Sequence, residues 1–116
     1  MARLFVFGQP TLHGLQGVTD THGVWLELPR EPVFFGRTAP YEPGERRVQL
    51  AFNFVARRHF VIEPVDDGWQ LRDLGSSGGT WVNRQRAAPA VRLKAGDVID
   101  LAQRIAIFRD DDGGER

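Results

Sequence analysis

Apolar residues in this chain recur at every second position, in short runs broken by glycine, proline or aspartate, and no segment keeps an apolar period of 3.6. Leu4 and Val6 alternate with Phe5 and Phe7; Val24, Leu26 and Leu28 form a second run, and Val33 and Phe35 a third. Further runs are Val48–Leu50, His59–Val65, Trp69–Leu74, Thr80–Val82, Val91–Leu93, Val98–Leu101 and Ile105–Arg109. Roughly ten short strands with turn residues between them predict two packed sheets, apolar faces inward and polar faces outward. Asp66-Asp67-Gly68 reads as a tight hairpin, with Gly68 free to take positive φ, and Lys94–Asp97 as another turn. Three longer connections, Gly8–Gly23, Thr38–Arg47 and Gly75–Gly79, are expected to be loops. Such loops at one end of a sandwich are where function belongs.

The chain has 116 residues, room for one domain with a real core, and the expected division is a domain over 1–110 followed by an acidic tail or linker over 111–116. No cysteine is present, which removes disulfides, thiolate metal sites and thiol redox chemistry. Fifteen basic and fifteen acidic residues balance to zero, so any anion recognition is local. The pairs Arg46-Arg47 and Arg57-Arg58 suit nucleic acid, but this neutral balance argues against it. No apolar run is long enough to span a bilayer, and a cytoplasmic protein is expected.

The stretch "LGSSGGT" contains G-x-S-x-G, the spelling of a serine hydrolase's nucleophile elbow centred on Ser77. A β-like "TWVN" follows it instead of a helix, and no histidine occurs after His59. Acyl-transfer chemistry is therefore excluded on order and length. His13 and His22 have no acidic or thiol partner at metal-ligand spacing, so no metal and no cofactor is expected. His59 alone reads as a hydrogen-bonded structural histidine. Trp25, Trp69 and Trp81 read as packing residues, since their neighbours alternate as strands do.

Four pieces stand in a recognisable order: "FFGR" (Phe34–Arg37), "VARRHF" (Val55–Phe60), "WQLRDLGSSGGTWVN" (Trp69–Asn83) and "LKAGDVIDL" (Leu93–Leu101). Together they resemble the forkhead-associated (FHA) domain, whose pattern is G-R, S-R-x-H, D-L-x-S-x-N-G-T-x-V-N-G and G-D-x-I. The resemblance implies an all-β, FHA/SMAD-like sandwich of about eleven strands. It also implies a signalling module without catalytic activity, whose partner is a threonine-phosphorylated protein or peptide. Arg37 matches the family's phosphate-contacting arginine, and Arg57 follows the position of its phosphate-binding serine. Ser77 and Gly78 occupy the ligand-facing part of the glycine-rich loop. His59, Ser76, Thr80 and Asn83 match residues that brace the loops. Arg46 and Arg47 are further candidates for phosphate.

The pattern is broken in three places. Ala56 stands where the family has its phosphate-binding serine, Gly78 where it has the peptide-holding asparagine, and Arg84 where the pattern closes with glycine. A hydrogen bond lost to a charged group costs ~1.5–3 kcal/mol, roughly one to two powers of ten in affinity. Outside the resemblance, the simpler reading of Arg37 and Arg57 is solvation or pairing with Glu42, Glu45 or Asp73. The alternative function is a degenerate FHA domain that binds protein surfaces without phosphate or associates with itself, through outward aromatics such as Trp25 or Phe34.

Overall fold

The computed structural model describes residues 2–110. They form thirteen strands and no helix: β1 (Ala2–Phe7), β2 (Thr11–His13), β3 (Gly17–Thr19), β4 (Gly23–Glu27), β5 (Val33–Gly36), β6 (Arg46–Gln49), β7 (Phe60–Val65), β8 (Gly68–Asp73), β9 (Trp81–Val82), β10 (Gln85–Arg86), β11 (Ala90–Arg92), β12 (Val98–Asp100) and β13 (Arg104–Asp110). One sheet has seven strands in the order β10-β9-β12-β13-β1-β4-β3; the other has six in the order β11-β8-β7-β5-β6-β2. The chain is an all-β sandwich. The expected tail, 111–116, lies outside the described residues.

Alternation explains the layers. Leu4, Val6, Leu26, Val33, Phe35, Phe60, Ile62, Leu71, Ile99 and Phe108 turn inward and are essentially inaccessible to water. Each large aliphatic or aromatic side chain buried in this way contributes about 1.5–3 kcal/mol. Phe35 and Phe60 stack across the β5–β7 pair with ring centroids 4.4 Å apart. The outer face of the seven-stranded sheet departs from the polar expectation. Phe5, Phe7 and Trp25 cluster there at 4.9 and 5.1 Å, and Arg3 lies over the Trp25 ring.

Three connections also differ. Gly8–Gly23 is no plain loop, since β2 adds to the edge at β6 and β3 to the edge at β4. The Thr38–Arg47 connection ends at Glu45, because Arg46 and Arg47 begin β6. β10 completes a two-residue hairpin with β9 around Asn83 and Arg84, whose φ values of 51° and 70° are what a type I′ turn requires. In the β7–β8 hairpin the positive φ falls on Asp66, at 46°, not on Gly68, which packs against the half-exposed Arg92 guanidinium. At Lys94–Asp97 the Asp97 N–H donates to the Lys94 carbonyl, and Gly96 takes the positive φ of 92°.

Candidate functional site

Register brings three loops to one rim of the six-stranded sheet. Asp73 pairs with Phe60, and Phe60 with Phe35, so β5 ends where β7 begins and β8 ends. β6 runs parallel to β5 and its last residue, Gln49, lies beside Gly36, which sends the 50–59 connection off the same rim. Arg37, the segment 55–59 and the glycine-rich loop 75–79 are therefore neighbours.

The 55–57 backbone is held by its carbonyls. Arg37 donates its N–H to the Ala56 carbonyl at 3.0 Å and its Nε to the Val55 carbonyl at 2.9 Å. Arg47 Nη1 donates to the Arg57 carbonyl at 3.0 Å. That carbonyl packs on Gly36 so closely that a Cβ there would sit 2.0 Å from the oxygen, which explains why glycine precedes Arg37.

His59 ties this segment to the glycine-rich loop. It is 1% exposed; its Nδ1 accepts the Ala56 N–H at 3.0 Å and its Nε2 donates to the Gly79 carbonyl at 2.8 Å. These partners select the neutral tautomer with hydrogen on Nε2. Asp73, at the end of β8, organises the loop from within. Its Oδ2 accepts the N–H groups of Gly75 and Ser76, both at 2.9 Å, and its Oδ1 accepts the hydroxyls of Ser76 at 2.7 Å and Thr80 at 2.6 Å. Ser76 Oγ accepts in turn from the Gly79 N–H at 3.0 Å. Burial pushes the Asp73 carboxyl up, but the donations from Thr80, Ser76 and Gly75 outweigh it and hold the group below the usual carboxylate range.

Asn83 bridges two turns. It donates Nδ2 to Asp97 Oδ1 at 2.8 Å and accepts the Val98 N–H at 2.9 Å, while Asp97 Oδ2 accepts the Lys94 N–H. Asp97, 4% exposed, and Asp73 stand within the G-D-x-I and D-L-x-S motifs, but the sequence alone assigns neither its role as an acceptor. Asp73 opens the D-L-x-S segment of the resemblance, and the serine and threonine three and seven residues on are the groups it holds.

Around this scaffold stand side chains with little to do inside the protein. Arg37 is exposed, and its two terminal nitrogens have no partner among the described residues. The exposed Arg57 guanidinium has none either, and neither arginine pairs with Glu42, Glu45 or Asp73. Ser77 and Gly78 are exposed at the crest of the loop. Nothing comes within 4 Å of where a Gly78 Cβ would be. Ala56 is half-buried and offers no hydroxyl.

The other two arginine candidates lie elsewhere. Arg47 is completely buried, 2.6 Å from Glu45, with Tyr41 against it. A sealed guanidinium of this kind is architectural. Arg46 faces away to Glu31 and the Gly14 carbonyl. Arg58 stacks between Phe34 and Tyr41, at 5.0 and 4.9 Å from their centroids. His13 bonds Gln49, and no group of three metal-ligating side chains occurs among the described residues. Trp69 is buried, whereas Trp25 and Trp81 are half-buried with Arg3 and Arg86 over them.

A model of the FHA domain matches residues 33–102, which include all of these loops. The chain is 25% identical over 87 residues to the FHA domain-containing protein FhaB of Mycolicibacterium smegmatis, covering 75% of this chain and 53% of FhaB. It is 30% identical over 97 residues to the FHA domain-containing protein At4g14490 of Arabidopsis thaliana, covering 73% of this chain and 24% of that protein. The chain thus spans about half the length, or less, of these curated relatives. Among solved structures, the FhaA FHA domain superimposes with a TM-score of 0.68 at 26% identity, over 94% of this chain and all of that one. With the motifs, the rim of loops and the family match in agreement, the chain belongs to the FHA domain family.

Proposed function

We propose that this protein is a non-enzymatic interaction module that recognises threonine-phosphorylated segments of a partner through the Arg37, 55–58 and 75–79 loops. The observation that carries this reading is the pair of exposed guanidiniums, Arg37 and Arg57, without carboxylate partners on loops that His59 and Asp73 lock in place. A guanidinium fork matches two phosphate oxygens at once and forms charge-assisted bonds. Preorganised loops reduce the ordering cost of binding. Ser77 Oγ and the peptide N–H groups near Gly78 supply further donors on the same crest. His59, Ser76, Thr80 and Asn83 serve as braces. The module is residues 1–110, its core running from Ala2 to Phe108, with 111–116 as tail or linker. The FhaA domain, to which the chain is similar, is complexed with the intracellular domain of Rv3910, which supports a protein partner in the cytoplasm here too. No helix among the described residues is long and apolar enough to cross a membrane.

The test is a fluorescence-anisotropy titration of a phosphothreonine peptide library and its unphosphorylated twin, repeated with Arg37→Ala. Binding is expected to need both the phosphate and Arg37, with the variant weakened at least about tenfold. Equal affinity for the two libraries would sink the reading. The outer-face cluster of Phe5, Phe7 and Trp25 favours a second one, phosphate-independent docking or self-association. Under it Arg37→Ala changes nothing and Trp25→Ser abolishes association.

A further inference from the structure

Arg86 belongs to none of the motif positions, yet it lies beside the recognition loop. It faces Trp81 across the β9–β10 hairpin, with its guanidinium 5.8 Å from that ring. Gly79, at a positive φ of 80°, lies in the loop that leads into β9. The Arg86 guanidinium lies on Gly79: a Cβ there would meet its Cζ, Nε and Nη2, each at 3.1 Å. Gly79 is buried as a result, although it sits next to the exposed Gly78. Packing thus holds Arg86 in position while it forms no hydrogen bond or ion pair with any described residue.

On the side of the loops the charge is of one sign. The segments 50–59, 74–80 and 83–86 contain Arg57, Arg58, Arg84 and Arg86 and no acidic residue. Asp73, at the base of the glycine-rich loop, is consumed by four donors of that loop, and Asp100, across Trp81 from Arg86, lies 3.8 Å from Arg104. At Gly78 the side chain that would hold a peptide is missing and open space stands in its place. A ligand lying across the crest therefore meets a fixed, unpaired cation where the loop offers it no amide.

We propose that Arg86 is a specificity-determining residue which selects an acidic side chain, aspartate or glutamate, flanking the phosphothreonine of the bound segment. This rests on the phosphothreonine reading. The guanidinium takes over part of the anchoring that a loop side chain at position 78 would give, and directs it to charge. The probes are two phosphothreonine peptide pools, one carrying glutamate and one glutamine at the flanking positions. Each is titrated by anisotropy against the wild-type protein, Arg86→Gln and Arg86→Lys, with thermal melting as the folding control.

The wild type is expected to prefer the glutamate pool about fivefold, the scale of one solvent-accessible ion pair. Arg86→Gln should lower that ratio to about one while phosphate dependence persists, and Arg86→Lys should keep a ratio above that of the glutamine variant. Phosphate-dependent binding with no preference in the wild type overturns the assignment alone. So does a preference that survives in Arg86→Gln, or equal ratios in the lysine and glutamine variants. Absence of phosphate-dependent binding in every protein overturns the phosphothreonine reading and this assignment with it.

Discussion

Replacing Asp73 with alanine removes the acceptor shared by the Gly75 and Ser76 N–H groups and the Ser76 and Thr80 hydroxyls. Water can reach the exposed Gly75, so its loss is small. Thr80 is 0% exposed, and leaving its hydroxyl without a partner costs about 1–3 kcal/mol. Adding the looser Ser76 contacts gives ~2–4 kcal/mol in all, a large share of the ~5–15 kcal/mol available to a domain. At roughly 3–6 °C per kcal/mol for a chain of this size, Tm should fall by about 6–24 °C. The assay is differential scanning fluorimetry with urea unfolding at neutral pH. The wild-type carboxyl lies below its ordinary 3.8, so its charge-dependent contribution is complete above that value and disappears as pH falls through the folded one. The gap between wild type and variant should therefore be constant near neutrality and narrow in strong acid. A Tm loss of less than about 3 °C, or a gap that widens on acidification, would refute the assignment of Asp73 as the loop's organiser.

Other expectations follow from the same geometry. Glu45→Ala should cost about 3–5 kcal/mol, because it strands the Arg47 cation in the interior, and chemical denaturation measures it; a neutral effect would mean that the Thr38 and Arg57 carbonyls and Tyr41 hold Arg47 unaided. Gly78→Asn meets open space and a φ outside the left-handed region, so the domain should fold unchanged and bind phosphothreonine peptides roughly tenfold more tightly. Unchanged affinity would show that position 78 does not face the peptide.

All ten alternating runs read from the sequence lie on strands, because each places apolar side chains in the core at period two. The missed strands β2, β3 and β10 are short and mostly exposed; Gly17–Thr19 is exposed throughout, and pairing with a neighbour, not burial, makes it a strand. The site divides in the same way. Arg37, His59 and the glycine-rich loop were legible through the motifs that resemble the FHA pattern, and the structure brings them to one rim. Arg46 and Arg47, adjacent and identical in type, have opposite fates: Arg46 reaches Glu31 and the Gly14 carbonyl, while Arg47, on the face of β6 opposite the core residue Val48, is sealed by Glu45, Thr38 and Tyr41. Which of the two is buried depends on Glu45 and Thr38, and arginine is rare enough in cores that composition gives no warning of it. Arg86 escaped notice because its proximity to Gly79 arises from hairpin pairing.

The segment 55–57 is anchored through its three carbonyl oxygens, to Arg37 and Arg47, and none of those bonds involves a side chain at 55, 56 or 57. Every amino acid brings the same carbonyl, so the shape of this loop is insulated from what is displayed on it. Serine can be exchanged for alanine at 56, or arginine for another side chain at 57, without moving the backbone that aims them. Affinity and selectivity can then drift while the framework stays intact, and the same indifference makes positions 56 and 57 the places to introduce variation when a new ligand preference is sought.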